Sequence, residues 1–285
     1  MRVLILGVRG QLGRELEAHY GALHEVTGCD LPEFDITDRG QMFETVAAAR
    51  AELVINAAAY TDVERAESEP ELALRSNVAG AGHAAEAAAA AGAAVVYYST
   101  DFVFDGSSGV PYTEEAAFPD LVPLSMYGRT KLLGESATRS GNASHFIIRT
   151  AWLYGPGGNN FVEKILAAAK TRPELRVVSD ETGCPTHTWD LAEATMALCG
   201  TAAPGTYHFV NGGSCSRFEF ARAALELAGI GTPVQPCPAS EFPTAARRPG
   251  RAVLSTDKYT QATGRIPRQW RDALAHYIQR RERHA

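Results

Sequence analysis

Arg2-Val3-Leu4-Ile5-Leu6-Gly7-Val8-Arg9-Gly10-Gln11-Leu12-Gly13 stands at the start of the chain and decides the fold. Val3 to Leu6 form an uninterrupted apolar run, which predicts a strand buried on both faces. The glycines at 7, 10 and 13 follow without a gap. Their spacing suits a tight turn, a close approach of backbone to a pyrophosphate, and close packing of the next helix on the strand. A helix over residues 11–20 would aim its N-terminal amides and positive dipole end at the phosphates. Asp30 closes a second predicted strand, residues 24–29, at the distance where a carboxylate holds a ribose diol. Arg9, inside the turn, suits a ribose 2′-phosphate, so both NADH and NADPH fit this pattern.

Beyond this turn the chain alternates strand and helix. Phe34-Asp35-Ile36-Thr37-Asp38 ends in a helix N-cap, and residues 53–59 read as a third buried strand running into Ala57, Ala58 and Ala59, whose small side chains leave room for a cofactor. Residues 62–69 and 71–91 read as helices, with Asn77 either a packing residue or a support for the site. Residues 94–98 form an apolar strand, and Thr100 sits where it ends. A helix over residues 125–140 places Tyr127 and Lys131 one turn apart on one face. Strands that are continuously apolar indicate a parallel sheet covered on both faces. The expected fold is α/β, a Rossmann-type doubly wound sheet with a smaller C-terminal substrate-binding domain. Residues 1–150 would bind the dinucleotide, with a returning segment near 187–200, and residues 151–285 would mainly bind substrate.

A hydroxyl, a phenol and an ammonium at one strand end can receive a developing alkoxide. An ammonium one turn away favours the phenolate, so Lys131 is expected to lower the Tyr127 pKa toward the working range. Tyr127 would then give a proton, and Thr100 would donate a hydrogen bond to the same oxygen. Asp105 reads as a turn residue and Glu135 as a helix-surface charge.

Composition narrows the partner. The 285 residues are 45% hydrophobic and 21% charged, ordinary for a globular protein, and a net charge of -6 argues against nucleic acid or an anionic membrane as the main partner. No apolar run approaches the ~20 residues of a membrane span, and the chain begins directly with a strand, so the cytoplasm is the expected location. The five cysteines are scattered and never spaced Cys-x-x-Cys, which suggests neither a disulfide framework nor a zinc site.

The glycine turn, the Tyr127-x-x-x-Lys131 pair and the strand-end Thr100 resemble the extended short-chain dehydrogenase/reductase superfamily. Within it, the chain resembles the dTDP-4-dehydrorhamnose reductase family over residues 1 to about 255. The matching segments are Asn56-Ala57-Ala58-Ala59-Tyr60-Thr61-Asp62-Val63, Ser99-Thr100-Asp101-Phe102-Val103-Phe104-Asp105-Gly106, Tyr127-Gly128-Arg129-Thr130-Lys131-Leu132-Leu133-Gly134-Glu135 and Arg149-Thr150-Ala151-Trp152-Leu153-Tyr154-Gly155, then Gly183-Cys184-Pro185-Thr186 and Arg247-Arg248-Pro249.

The resemblance implies NADPH- or NADH-dependent reduction of a dTDP-linked 4-keto-6-deoxy sugar. The cofactor would lie along Gly7, Arg9, Gly10, Gln11, Leu12, Gly13, Asp30, Asp35, Ile36 and Ala57 to Ala59. Lys131 would also bond the nicotinamide ribose. Thr100, Asp101, Phe102, Trp152 and Asn160 would line the sugar site, and Arg247 or Arg248 would pair with the diphosphate. Some members bind Mg2+ at a homodimer interface through carboxylates, and Glu15 and Glu193 stand at matching positions, though the basic tail offers only Glu282 to complete a set.

There are two departures from the family pattern. Phe102 stands where the family usually has Tyr, and Glu181 where Gln is common; neither touches the expected chemistry, but Glu181 would alter contacts to sugar or pyrophosphate. The alternatives are a reductase of another dTDP-4-keto-6-deoxy sugar, an epimerase that keeps its NAD, and a non-enzymatic subunit resembling the methionine adenosyltransferase β subunit. A 4,6-dehydratase would want an acid where Phe102 stands.

Overall fold

The computed structural model describes residues 1–115, 121–201 and 203–283, without the side chains of 282 and 283, so Glu282 lies outside the described side chains. Five strands follow in chain order: β1 (Arg2–Leu6), β2 (Glu25–Cys29), β3 (Leu53–Asn56), β4 (Ala94–Thr100) and β5 (His145–Thr150). With Gly205–His208 they form one parallel sheet, in the order Gly205–His208, β5, β4, β3, β1, β2. The chain leaves β1 for β2 on one side and returns to β3 on the other. The crevice at the C-terminal ends of β1 and β3 is therefore a topological switch point, where open α/β sheets bind ligands.

β1, β3 and β4 are buried along nearly their whole length, as their unbroken apolar sequence requires. Two buried clusters cover the two faces. One joins Ile5, Leu12, Leu16, Ile55 and Val96 to Leu191 and Leu198 of the helix Thr188–Cys199. The other joins Leu4, Leu6, Val54 and Val95 to the alanines of Ala81–Ala90. A third core, around Tyr154, Leu166, Phe220 and Tyr277, belongs to the C-terminal part, where Cys215–Ser216, Thr182–Gly183 and Arg251–Ala252 form a small three-stranded sheet.

The structure departs from the expected elements at two informative places. β3 stops at Asn56 because the Asn56 side-chain oxygen accepts from the Ala58 N–H at 3.2 Å, turning the alanines out of the ladder into the crevice. The long alanine-rich helix expected over 71–91 is split into Pro70–Leu74, a π-helical turn Arg75–Gly80, and Ala81–Ala90. Asn77 in that turn is buried. Its side-chain oxygen accepts from Tyr60 N at 2.9 Å, while its amide donates to Tyr60 O and, at 3.0 Å, to Thr130 Oγ1. Three directed hydrogen bonds from one side chain outweigh the regular α-helical register there, and π-turns recur at functional sites. Asn77 is thus a support, tying the loop after β3 to the helix that carries Tyr127.

Candidate active site

The glycine turn is built for close approach. Gly7 has φ +81°, and a Cβ placed on it would lie 2.7 Å from Ala58 N, so β1 and β3 open side by side with nothing between them. A Cβ on Gly13 would meet Gly7 O at 2.1 Å, which is how tightly the helix Gln11–Gly21 seats against the turn. Among the described residues no side chain caps that helix at Gly10, leaving its first amides directed at the crevice. Asp30 closes the turn, accepting from Arg9 N and Leu31 N, each at 2.8 Å. These residues fit a dinucleotide: backbone donors for a pyrophosphate, and a carboxylate at the end of β2 for a ribose.

The remaining cofactor candidates divide by what their side chains do. The Leu12 and Ile36 side chains are buried in the two cores. Asp35 is exposed and turns the chain by accepting from Thr37 N at 2.8 Å. Arg9 donates to Leu31 O at 2.5 Å and pairs with Glu33 at 2.8 Å. Glu33 was not foreseen, because an exposed acid in a turn carries no pattern of its own. Gln11 accepts from Asn160 Nδ2 at 3.0 Å. Asn160 also donates to Gly155 O at 2.9 Å and caps the helix Phe161–Ala169 through Glu163 N, so its amide braces the loop over the glycine turn.

Tyr127 and Lys131 stand on the helix Met126–Gly141, which starts where Ser125 accepts from Gly128 N at 3.2 Å. Tyr127 is half-buried, edge-on to Phe102 at 5.5 Å between ring centroids. Lys131 is buried, with Nζ 4.1 Å from the Tyr97 ring centroid. Thr100 Oγ1 donates to Asp101 Oδ1 at 3.0 Å and accepts from Phe102 N at 3.2 Å.

Electrostatics run against the expected acidification of the phenol. Burial pushes the Tyr127 phenol up to about 12, its hydrogen bond with Thr100 pulls it back in part, and Asp101 raises it further. Burial pushes the Lys131 ammonium down to about 7, with Glu135 opposing. Low dielectric disfavours the charged form of each group. Burial likewise lifts Asp101 to about 7, and its Oδ2 finds no partner among the described residues.

Glu135 is fully buried, a correction to its reading as a surface charge. It takes two hydrogen bonds from Arg149, both at 2.8 Å, and one from Ser99 Oγ at 2.6 Å. Its position four residues beyond Lys131 on the same helical face was the available signal.

On the substrate side, Trp152 has φ +44°, unusual for an aromatic residue, and its indole lies against Gly183. The Arg217 guanidinium, unforeseen from sequence, stacks on it at 3.5 Å from the centroid. Arg247 is exposed, whereas Arg248 is paired with Glu64 and donates to Thr244 Oγ1 at 2.7 Å.

The suggested magnesium ligands do not form a metal site. Glu15 is buried with Arg280 as its counter-ion at 2.9 Å, and Glu193 is exposed. Among the described residues no group of three or more His, Cys, Asp or Glu could hold a metal ion, and no helix is long and apolar enough to cross a membrane.

Comparisons with known proteins agree with this geometry. The family model described as "RmlD substrate binding domain" matches residues 1–283. The spore coat polysaccharide biosynthesis protein SpsK of Bacillus subtilis is 40% identical over 98% of each chain. The dTDP-4-dehydrorhamnose reductase of Sinorhizobium fredii is 38% identical over 98% of this chain and 97% of its own. The crystal structure of dTDP-4-dehydrorhamnose reductase from Bacillus anthracis in complex with NADP superposes with a TM-score of 0.94 at 36% identity, covering 98% of this chain and 99% of the other. The chain belongs to the dTDP-4-dehydrorhamnose reductase family of the extended short-chain dehydrogenase/reductases.

Proposed function

We infer that this protein reduces the 4-keto group of dTDP-4-dehydro-L-rhamnose to give dTDP-L-rhamnose, using a reduced nicotinamide dinucleotide. The placing of Tyr127 and the buried Lys131 one turn apart on the helix Met126–Gly141, with Thr100 at the end of β4 near enough to act on the phenol, is the observation that carries this reading. When bound, the nicotinamide supplies a hydride to the carbonyl carbon. As negative charge grows on the carbonyl oxygen, Thr100 turns its hydroxyl proton from Asp101 to that oxygen and Tyr127 delivers its own proton. Lys131 in its charged form stabilises the phenolate left on Tyr127. Phe102, apolar where a dehydratase would place an acid, packs edge-on against the Tyr127 ring.

NADPH is the cofactor we favour, supported by the NADP-bound relative and by Arg9 beside the end of β2. We also propose that residues 1–150 with the segment near 187–200 bind the dinucleotide, and that 151–285 mainly bind the sugar nucleotide. Packing of Thr188–Cys199 into the core beneath Gln11–Gly21 supports that division. The test is to mix the protein with dTDP-4-dehydrorhamnose and NADPH. The nicotinamide absorbance should fall with formation of dTDP-L-rhamnose, and absence of turnover under saturating substrates would refute the assignment.

A further inference from the structure

We propose that Arg217, stacked on Trp152, binds the diphosphate of the sugar nucleotide, and that Glu181 is the counter-ion it gives up when substrate enters. This rests on the sugar-nucleotide reading of the same site.

Arg217 opens the helix Arg217–Leu227, whose capping box of Ser216 and Glu219 fixes where the side chain leaves the backbone. Its guanidinium carbon lies over the Trp152 indole, 3.5 Å from the ring centroid, and 5.3 Å from that of Phe161. The side chain is 19% exposed, yet it makes no hydrogen bond to any of the described residues, and its nearest carboxylate, Glu181, is 3.9 Å away. Stacking occupies the faces of the guanidinium and leaves its edge, with up to five N–H donors, for a planar array of oxygens.

The surrounding charges point to a dianion. Asp101, the hydrogen-bond partner of Thr100, lies within electrostatic reach of Arg217. Arg248 is near enough to act on Arg217 electrostatically. Arg248 is already neutralised by Glu64, which also accepts from Ala245 N and Ala246 N. Arg217 has only the long contact to Glu181. A diphosphate brings more charge and better geometry than that carboxylate, and displaces it.

The experiment uses the full chain and two probes: dTDP, titrated by calorimetry, and dTDP-4-dehydrorhamnose in the reductase assay. Arg217→Lys keeps the charge but loses the stacked fork. It should weaken dTDP about tenfold and raise the KM for the sugar nucleotide similarly, with kcat within about threefold and NADPH affinity unchanged. Glu181→Gln should tighten dTDP severalfold, and that gain should vanish in the Arg217→Lys background. Thermal melts confirm that each variant is folded. Unchanged dTDP affinity in Arg217→Lys, or weaker dTDP binding in Glu181→Gln, would overturn the proposal. Failure of the unsubstituted protein to reduce the sugar would instead strike the functional reading, whatever dTDP does.

Discussion

Lys131 Nζ sits 4.1 Å over the face of the Tyr97 ring, one turn of helix beyond the phenol it is meant to serve. The ring and the carboxylate of Glu135 hold some positive charge there, while burial pushes the ammonium down to about 7. In the proposed mechanism activity needs the cation, to stabilise the phenolate formed as Tyr127 gives up its proton. As pH rises through the Lys131 pKa the cation is lost, so kcat/KM for the sugar nucleotide at saturating NADPH should fall along an alkaline limb nearer 7 than 12. In Lys131→Arg the residual activity should lose that limb, because a guanidinium stays charged. A wild-type profile flat to about pH 10 would remove Lys131 from this role.

Glu135 and Arg149 form a buried bidentate pair beneath the site, with Ser99 as a third partner. Glu135→Gln leaves a guanidinium uncompensated in the core, and breaking such a pair costs on the order of 3–5 kcal/mol. Urea unfolding should show that loss. Stability within about 1 kcal/mol of wild type would mean that Arg149 finds another partner.

Arg9 is held by Glu33 at 2.8 Å, at the end of β2 where a ribose 2′-phosphate would lie. Glu33 competes with such a phosphate for the guanidinium. Glu33→Gln should therefore lower the KM for NADPH by a few-fold at most and leave that for NADH nearly unchanged, since an exposed ion pair is weakened by solvent screening. An equal shift for both cofactors would place Arg9 away from the 2′ position.

The parts of the site written locally in sequence were legible. Gly7 to Gly13 follow β1 directly, and Tyr127 and Lys131 are four apart on one helix, so spacing alone put them on one face. Partners supplied by distant segments were not. Glu135 looked like a solvated helix charge because charged residues seldom lie buried unpaired, and its partner Arg149 is fourteen residues on, in β5. Asn77 reaches back seventeen residues to Tyr60, and nothing in an alanine-rich run announces the π-turn this requires. Arg217 meets Trp152 only through tertiary packing. The phenol's pKa was misjudged for the same reason, since spacing reports a neighbour's charge but not the depth at which both are buried.

Tyr127→Phe tests the central claim most directly, because it deletes one oxygen and keeps the ring that packs on Phe102. Single-turnover oxidation of NADPH by dTDP-4-dehydrorhamnose should slow by about 10²–10⁴-fold, with NADPH affinity within about threefold of wild type. A rate within a few-fold of wild type would contradict the assignment of Tyr127 as the proton donor.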